Sequence, residues 1–478
     1  MNKTLIYLLH FLAVSILGTS LQGSDKPNIL FIFADDQCYK TIGSLNNDEI
    51  KTPHLDKLVK KGTTFTHTYN MGGYHGAVCV ASRTMLITGK HIWHAKNSEK
   101  ELKKSLDGKL WPQLMAKAGY ETFFTGKWHV KADANHLFNT ARNIRGGMPR
   151  QTPEGYNRPL ADGTDPWNPS DPKFGGFWAG GKHWSEVVAD DAISYLNASK
   201  KTDNPFFMYI AFNAPHDPRQ APKEFVDMYP TDKIKLPESF MEEHPWKEEI
   251  GSGKGLRDEK LAPFPRTKNA VQVNRREYYA IITHMDFQIG RILKHLEKTG
   301  QTENTYIFFT ADHGLSVGHH GLLGKQNLYD HSVRVPFIVT GPGVEKGKKN
   351  HSPIYLQDVM ATSLDLAKAE KPNHVQFNSL LPMIKDGKSG GLESVYGTYV
   401  NFQRMVISGN HKLLLFPKIK KALLFNLKDD PEELNDISKK PSSQQKMKSL
   451  FKKLLKLQKE SGDSLELSPI YPKLANKQ

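Results

Sequence analysis

Four strand-like runs in this chain end in the same way, and that repetition restricts the fold more than any other feature of the sequence. Residues 28–34, NILFIFA, are continuously apolar and rich in β-branched and aromatic side chains, the pattern of a strand covered on both faces, and they stop at Asp35-Asp36. Residues 120–125 run into Gly126-Lys127-Trp128-His129, residues 205–212 (PFFMYIAF) into Asn213-Ala214-Pro215-His216, and residues 306–310 into Ala311-Asp312-His313-Gly314. Helical periodicity lies between them, at 110–118, 184–197 and 274–298, and again at 356–367. Strand, polar tip and helix in alternation predict an α/β domain on a large, mainly parallel sheet. Ligands of such sheets sit beyond the carboxyl ends of the strands, so the four tips predict a single active site at one rim.

After about residue 375 the pattern changes. Short runs at 396–399, 404–408, 412–416 and 423–427, spaced by turns, predict a small antiparallel sheet, and 445–459 predicts a Lys- and Leu-rich amphipathic helix. The chain is therefore expected to divide into a catalytic domain, 25–375, and a C-terminal subdomain, 376–478. Residues 1–24 carry Lys3, an apolar run from Leu5 to Leu17, and small residues at Gly18, Ser20, Gly23 and Ser24. That is the pattern of a signal peptide, and the run is too short to span a bilayer. We expect a periplasmic or secreted protein without a membrane partner. The formal charge of +15 draws in polyanions. With no nucleic-acid module in the sequence, a sulfated polysaccharide is the expected polyanion and nucleic acid is not.

The tips carry a consistent chemistry. Asp35, Asp36 and Asp312 offer hard oxygen ligands suited to Ca²⁺ or Mg²⁺, and His313 adds a nitrogen or a hydrogen bond. Lys127, His129, His216 and Lys325 are cationic or proton-donating groups able to hold an anion with spread charge, and a histidine can protonate a leaving oxygen. Residues 79–89, CVASRTMLITG, read as a loop entering a helix that glycine closes. On those terms alone Cys79 reads as a buried thiol.

The same stretch resembles the signature of the sulfatase family, C-x-P-S-R-x-x-x-x-T-G, in which the first residue is oxidised to formylglycine. The likeness runs along almost the whole mature chain: NILFIFADD, TGKWH, the APH at 214–216, TADHG, the GK at 324–325, and KLLLFP through LFNLKDDPEEL. It implies an alkaline-phosphatase-like α/β sandwich with a smaller C-terminal antiparallel subdomain. It also implies that Asp35, Asp36, Asp312 and His313 bind one calcium ion, although asparagine is frequent in the family where this chain has His313. Cys79 is then the formylglycine precursor, oriented by Arg83, with Lys127 and His129 near its hydroxyls. His216 and Lys325 contact the sulfate, with His216 the general acid for the departing sugar oxygen. An unmodified thiol lacks the second hydroxyl that releases sulfate, so Cys79 is not expected to pair with Cys38. A formylglycine-generating maturation enzyme is an implied partner, and it meets Ala81 where proline is usual. Anaerobic radical maturases of this family accept alanine there.

The long, Gly- and Pro-rich stretch at 137–182 suits a substrate pocket. Tyr74 and His75 before Cys79, and Trp178, His183 and Trp184, place aromatic rings beside cationic groups, which suits a sulfated sugar. The expected activity is a sulfuric-ester hydrolase acting on a sulfated oligosaccharide end or a monosaccharide. Two other classes are a phosphatase or phosphonate hydrolase of the same superfamily, where a second carboxylate and histidine cluster would mark a two-metal site, and a catalytically silent glycan-binding protein.

Overall fold

The computed structural model describes residues 26–104, 107–385 and 390–475; the signal peptide expected at 1–24 lies outside the described residues. In chain order the main elements are β1 (Asn28–Ala34), α1 (Pro53–Lys61), β2 (Thr63–Phe65), α2 (Val78–Thr88), α3 (Trp111–Lys117), β3 (Glu121–Lys127) and β4 (Thr140–Arg145). They continue with α4 (Trp184–Ser199), β5 (Phe206–Ala211), α5 (Lys268–Lys298), β6 (Thr305–Ala311), β7 (Phe337–Thr340), β8 (Lys348–Asn350) and α6 (Asp358–Leu366). Eight strands form one sheet in the order β8-β2-β7-β6-β1-β5-β3-β4. Only β7 runs against its neighbours, so the sheet is mainly parallel, as expected.

Every residue of β1, β5 and β6 is buried, which requires cover on both faces. Successive residues of a strand face opposite sides, and β3 shows the two layers: Phe123 packs on Tyr195 of α4, while Phe124 packs on Tyr209. Tyr209, Phe31 and Phe207 surround Trp111 of α3. The run at 333–340 is broken at its proline. Arg334–Val335 joins a separate three-stranded ladder and Phe337–Thr340 joins the main sheet, because Pro336 has no N–H to continue a ladder.

The C-terminal strands β9 (Ser394–Tyr399), β10 (Gln403–Ser408), β11 (His411–Phe416) and β12 (Lys421–Asn426) pair antiparallel in sequence order. The helix α7 (Gln444–Glu460) covers them with Met447, Leu450, Phe451 and Leu454. This small sheet is completed by the two-residue strand Gly72–Gly73, parallel to β9. A Cβ on Gly72 would stand 2.0 Å from the Thr398 carbonyl oxygen, and its φ of +89° favours glycine. The subdomain thereby holds the chain just ahead of residue 79. Its apolar cluster includes Val78, Ala81 and Met85 of α2, whereas Leu86 and Ile87 belong to the main core. The helix that begins beside Cys79 is thus wedged between the two hydrophobic cores.

A buried ion cluster ties the same seam. Lys412 Nζ of β11 lies 3.0 Å from Asp330 Oδ1 and 2.8 Å from Glu433 Oε1, and all three side chains are buried. Cys38 and Cys79 are both free thiols, in agreement with the sequence. Cys38 donates to the carbonyl oxygen of His331 at 2.9 Å, and burial pushes its thiol up to about 11, the state of an unreactive cysteine.

Candidate active site

The four predicted tips converge at the carboxyl ends of β1, β3, β5 and β6, with the start of α2 facing them. Asp35 continues the strand, its N–H donating to the Ala214 carbonyl at 3.0 Å. Asp36 turns to φ 67°, a left-handed conformation that aspartate tolerates better than most residues. That turn directs its N–H to Asp312 Oδ1 at 3.1 Å and its carbonyl to the Tyr278 hydroxyl at 2.5 Å. Both carboxylates are fully buried. The turn that breaks β1 is therefore what aims the Asp36 side chain across the rim.

Cys79 lies in the first turn of α2, where unpaired N–H groups and the helix dipole favour negative charge. Its Sγ is 3.2 Å from His313 Nε2 and 4.0 Å from Asp36 Oδ1. Burial alone would push the thiol up, but Lys127, Lys325 and His313 face it and hold it well below the ordinary thiol range. Arg83, four residues on, shares that helix face. Its guanidinium is fully buried, donates to Asp312 Oδ2 at 3.0 Å and to the Lys127 carbonyl at 2.6 Å, and lies over the Phe33 ring. The four-residue spacing of Cys79 and Arg83 is thus a geometric requirement.

Lys127 Nζ pairs with Asp35 Oδ2. Just before it the β3–β4 ladder shifts register between Thr125 and Gly126, with Asn143 of β4 the extra residue. Gly126 has φ +98°, and a Cβ there would lie 1.8 Å from the Ala211 carbonyl oxygen. We expect Gly126→Ala to destabilise the fold by about 2–4 kcal/mol, since strain and overlap add, and to reduce turnover beyond that by turning Lys127 away. Urea unfolding followed beside single-turnover assays separates the two effects; unchanged stability would show that Gly126 is not constrained. His129 also has positive φ, 53°, and its ring faces the Cys79 thiol, packed against Gly147, which has no side chain to displace it.

Across the rim, Lys325 Nζ is 2.7 Å from Asp36 Oδ2 and 2.9 Å from His216 Nε2. His216 Nδ1 donates to the Asp217 carbonyl at 2.8 Å and lies 3.2 Å from Asp217 Oδ1. Burial opposes charge on this ring, but Asp36 and Asp217 outweigh it and hold His216 up to about 9.

Asp35, Asp36, Cys79 and His313 present ligand atoms within 4.8 Å of one another. Asp35 Oδ1 is buried without a hydrogen-bond partner, and burial together with Asp312 raises its pKa well above the usual range. An orphaned oxygen among three buried carboxylates is the donor set of a hard divalent cation. Asp312 is more engaged than expected. Its Oδ1 accepts from the N–H groups of Asp36 and His313, its Oδ2 accepts from Arg83, and His313 Nε2 lies 3.7 Å from its Oδ1.

The aromatic residues assigned to substrate sit differently. His75 is half-buried beside Tyr74, near the start of α2. Trp178 is half-buried, its indole donating to the Pro169 carbonyl at 3.4 Å and its ring edge-on to His183. His183 is fully buried, stacked on Phe177 and bonded through Nε2 to the Gln220 carbonyl at 2.9 Å. Phe177 N–H donates to Gln220 Oε1 at 2.8 Å. The insertion is therefore fastened to the segment that carries His216, and His183 makes that attachment.

Sequence reasoning missed the acidic supports of the cations. Arg257 pairs with both Asp217 and Asp258, and Asp258 Oδ2 lies 3.6 Å from Lys325 Nζ. Asp217 directly follows the APH motif and gave a signal of its own; Arg257 and Asp258 lie in an aperiodic loop that gave none. Asn70, which donates to the Asp312 carbonyl and accepts from Gly72 N–H, was missed as well.

The sulfatase family model matches residues 27–369, and the model for the C-terminal region of N-sulphoglucosamine sulphohydrolase matches 318–460. An arylsulfatase of Clostridium perfringens is 29% identical, with 90% of this chain and 94% of that protein covered. An N-acetylglucosamine-6-O-sulfatase of Bacteroides thetaiotaomicron is 24% identical, with 92% and 87% covered. Among solved structures, a phosphonate monoester hydrolase of Silicibacter pomeroyi superposes with a TM-score of 0.71 at 20% identity, covering 91% of this chain and 96% of that one. That likeness establishes the fold alone.

Proposed function

The chain belongs to the sulfatase family, and from that premise we propose that it removes sulfate from a sulfated oligosaccharide end or monosaccharide, in the periplasm or outside the cell. It is a sulfuric-ester hydrolase, and its Asp, Asp, Cys and His cluster matches the family's calcium and formylglycine site. The observation that carries the reading is the joint placement of Cys79, the orphaned Asp35 oxygen, and the lysine and histidine pair at 325 and 216 around one rim. A sugar as the alcohol is supported by the N-acetylglucosamine-6-O-sulfatase relative. The expected division at about residue 375 belongs to the same reading. Among the described residues no helix is long and apolar enough to cross a membrane.

We assign Asp35, Asp36, Asp312 and His313 to the calcium ion. When present, the ion supplies Lewis acidity and the matured residue 79 supplies the nucleophile toward sulfur. Arg83 fixes the start of α2 against Asp312, so residue 79 cannot swing out of line. Lys127 and His129 flank that residue and take up charge on its oxygens. Lys325 and His216 hold the sulfate from the other side, and His216, with Nδ1 fixed by Asp217, presents Nε2 to the leaving oxygen. His75 and Trp178 are assigned to the sugar, while His183 supports the wall through Gln220. The maturation enzyme is assigned as a partner that accepts Ala81.

The two-metal alternative meets a specific obstacle. Asp36, His216 and Asp217 do form a second carboxylate and histidine group. The Lys325 ammonium, however, already donates to Asp36 and stands 2.9 Å from His216 Nε2, and Arg257 occupies Asp217. A fixed cation fills the role of a second metal.

The test is sulfate release from a panel of sulfated mono- and oligosaccharides, with the mass of the residue 79 peptide read from the same preparation. Turnover with an aldehyde at residue 79 is expected, and turnover with residue 79 wholly a thiol would overturn the reading. Chelation by EGTA should lower the melting midpoint and added Ca²⁺ should restore it, because a ligand of the folded state alone stabilises that state. An unchanged midpoint would reject the calcium assignment.

A further inference from the structure

We propose that the outer face of α7 is a docking surface for the polyanionic chain of a sulfated polysaccharide, separate from the catalytic rim. The proposal rests on the saccharide reading for the partner's chemistry and goes beyond it in assigning a second binding surface. From Ile437 to Lys459 the sequence carries eight lysines and no acidic residue, more than half of the formal net charge of +15.

The helix sorts these charges. At 3.6 residues per turn, Lys448, Lys452 and Lys459 fall within about 40° of one another. Met447, Leu450, Phe451 and Leu454 occupy the opposite side and are buried under the small sheet. Lys446 extends the basic arc toward His411, whose pKa it lowers after burial has done so. Among the described residues only Lys453 and Lys456 of the eight meet a carboxylate, Glu393 at 2.6 Å and Glu460 at 3.8 Å.

Like charges four residues apart, such as Lys448 with Lys452 and Lys452 with Lys456, work against the helix by themselves. A bound polyanion converts that repulsion into attraction and releases counterions. A membrane is the poorer partner, because surface-bound amphipathic helices insert an apolar face and the apolar face of α7 is already committed to the subdomain core.

The test uses the full chain. Binding of fluorescein-labelled dextran sulfate is measured by anisotropy in a Cys79→Ala background, with neutral dextran and phosphatidylglycerol vesicles as comparisons. Turnover of a small aryl sulfate is measured in the Cys79 background. The triple variant Lys448→Gln, Lys452→Gln and Lys459→Gln is expected to weaken dextran sulfate binding about tenfold or more at low salt and to flatten its salt dependence, with aryl sulfate turnover unchanged and the melting midpoint no lower than the parent's. A control triple of equal charge change on α1, Lys57→Gln, Lys60→Gln and Lys61→Gln, should leave binding within error of the parent. Equal losses in the two triples would overturn the proposal, because net charge alone would then explain binding. Tighter binding to the vesicles than to dextran sulfate would also overturn it. Failure of the saccharide reading is seen separately, as absence of sulfate release from every saccharide while α7 still binds the polyanion.

Discussion

Cys79→Ala should leave the fold intact and abolish turnover, with a loss on the order of 10⁴-fold or more, the scale on which removal of a nucleophile acts when neighbouring groups cannot replace it. The expectation follows from where the side chain sits. Cys79 is buried in the first turn of α2 with His313 Nε2 at 3.2 Å, and in the proposed reading neither the positioning and charge-stabilising groups Arg83, Lys127 and Lys325 nor the general acid His216 can replace it as the nucleophile. Stability should change little, because α2 is held by Val78, Ala81 and Met85 in one core and Leu86 and Ile87 in the other. The measurement is sulfate release beside a thermal unfolding curve. Retained wild-type turnover would remove Cys79 from the chemistry, whereas a large fall in melting midpoint would mean that the residue is structural.

Lys412→Met should cost about 3–5 kcal/mol of stability, the range for removing one partner of a buried ion cluster. Lys412 is fully buried between Asp330 and Glu433, and the substitution leaves two enclosed carboxylates without a cation. The loss should depend on pH, with the sign set by Glu433. In the native protein burial pushes Glu433 up to about 7, above the usual glutamate value; Lys412 opposes that rise and the nearby Asp330 adds to it. A group whose folded pKa is raised contributes stability that is present below its unfolded value and lost as pH rises through the folded one. Native stability therefore declines through neutrality on account of Glu433. Without Lys412 the decline should steepen, since the cation that lowers both Glu433 and Asp330 is gone and the folded state then holds protons that the unfolded chain releases. Denaturant titrations of both proteins at pH 5 and pH 8 check this; equal losses at the two pH values would show that removing Lys412 leaves the folded-state ionisation of the carboxylates as it was. Glu433→Gln in the native background should reduce the decline.

The expected elements and the observed ones agree most closely where burial is local. Continuous apolar runs such as 28–34 and 205–212 can be strands only if covered on both sides, and helices of 3.6-residue period supply the cover. The apolar run at 333–340 is divided between two ladders at Pro336, whose effect on a ladder is also local. Reading aromatic residues of the insertion as substrate contacts rested on composition. Composition does not say which way a ring faces, and His183 faces the Gln220 carbonyl.

The sequence by itself determined that carboxylates, lysines and histidines would collect at one rim, because a parallel sheet places successive strand ends side by side and each polar cluster follows a strand. That Arg83 orients residue 79 is what the resemblance to the sulfatase signature implies, and the two side chains lie one turn apart on α2. Tertiary structure alone decided how the buried charges are balanced. Asp217 and Asp258 came to support His216 and Lys325 through Arg257, and Lys412 came to join the subdomain to the seam beside α2. The physical reason is that desolvating a charge demands a partner within a few ångströms but places no demand on its distance along the chain. Loops and distant strands can meet that demand with no periodic trace in the sequence.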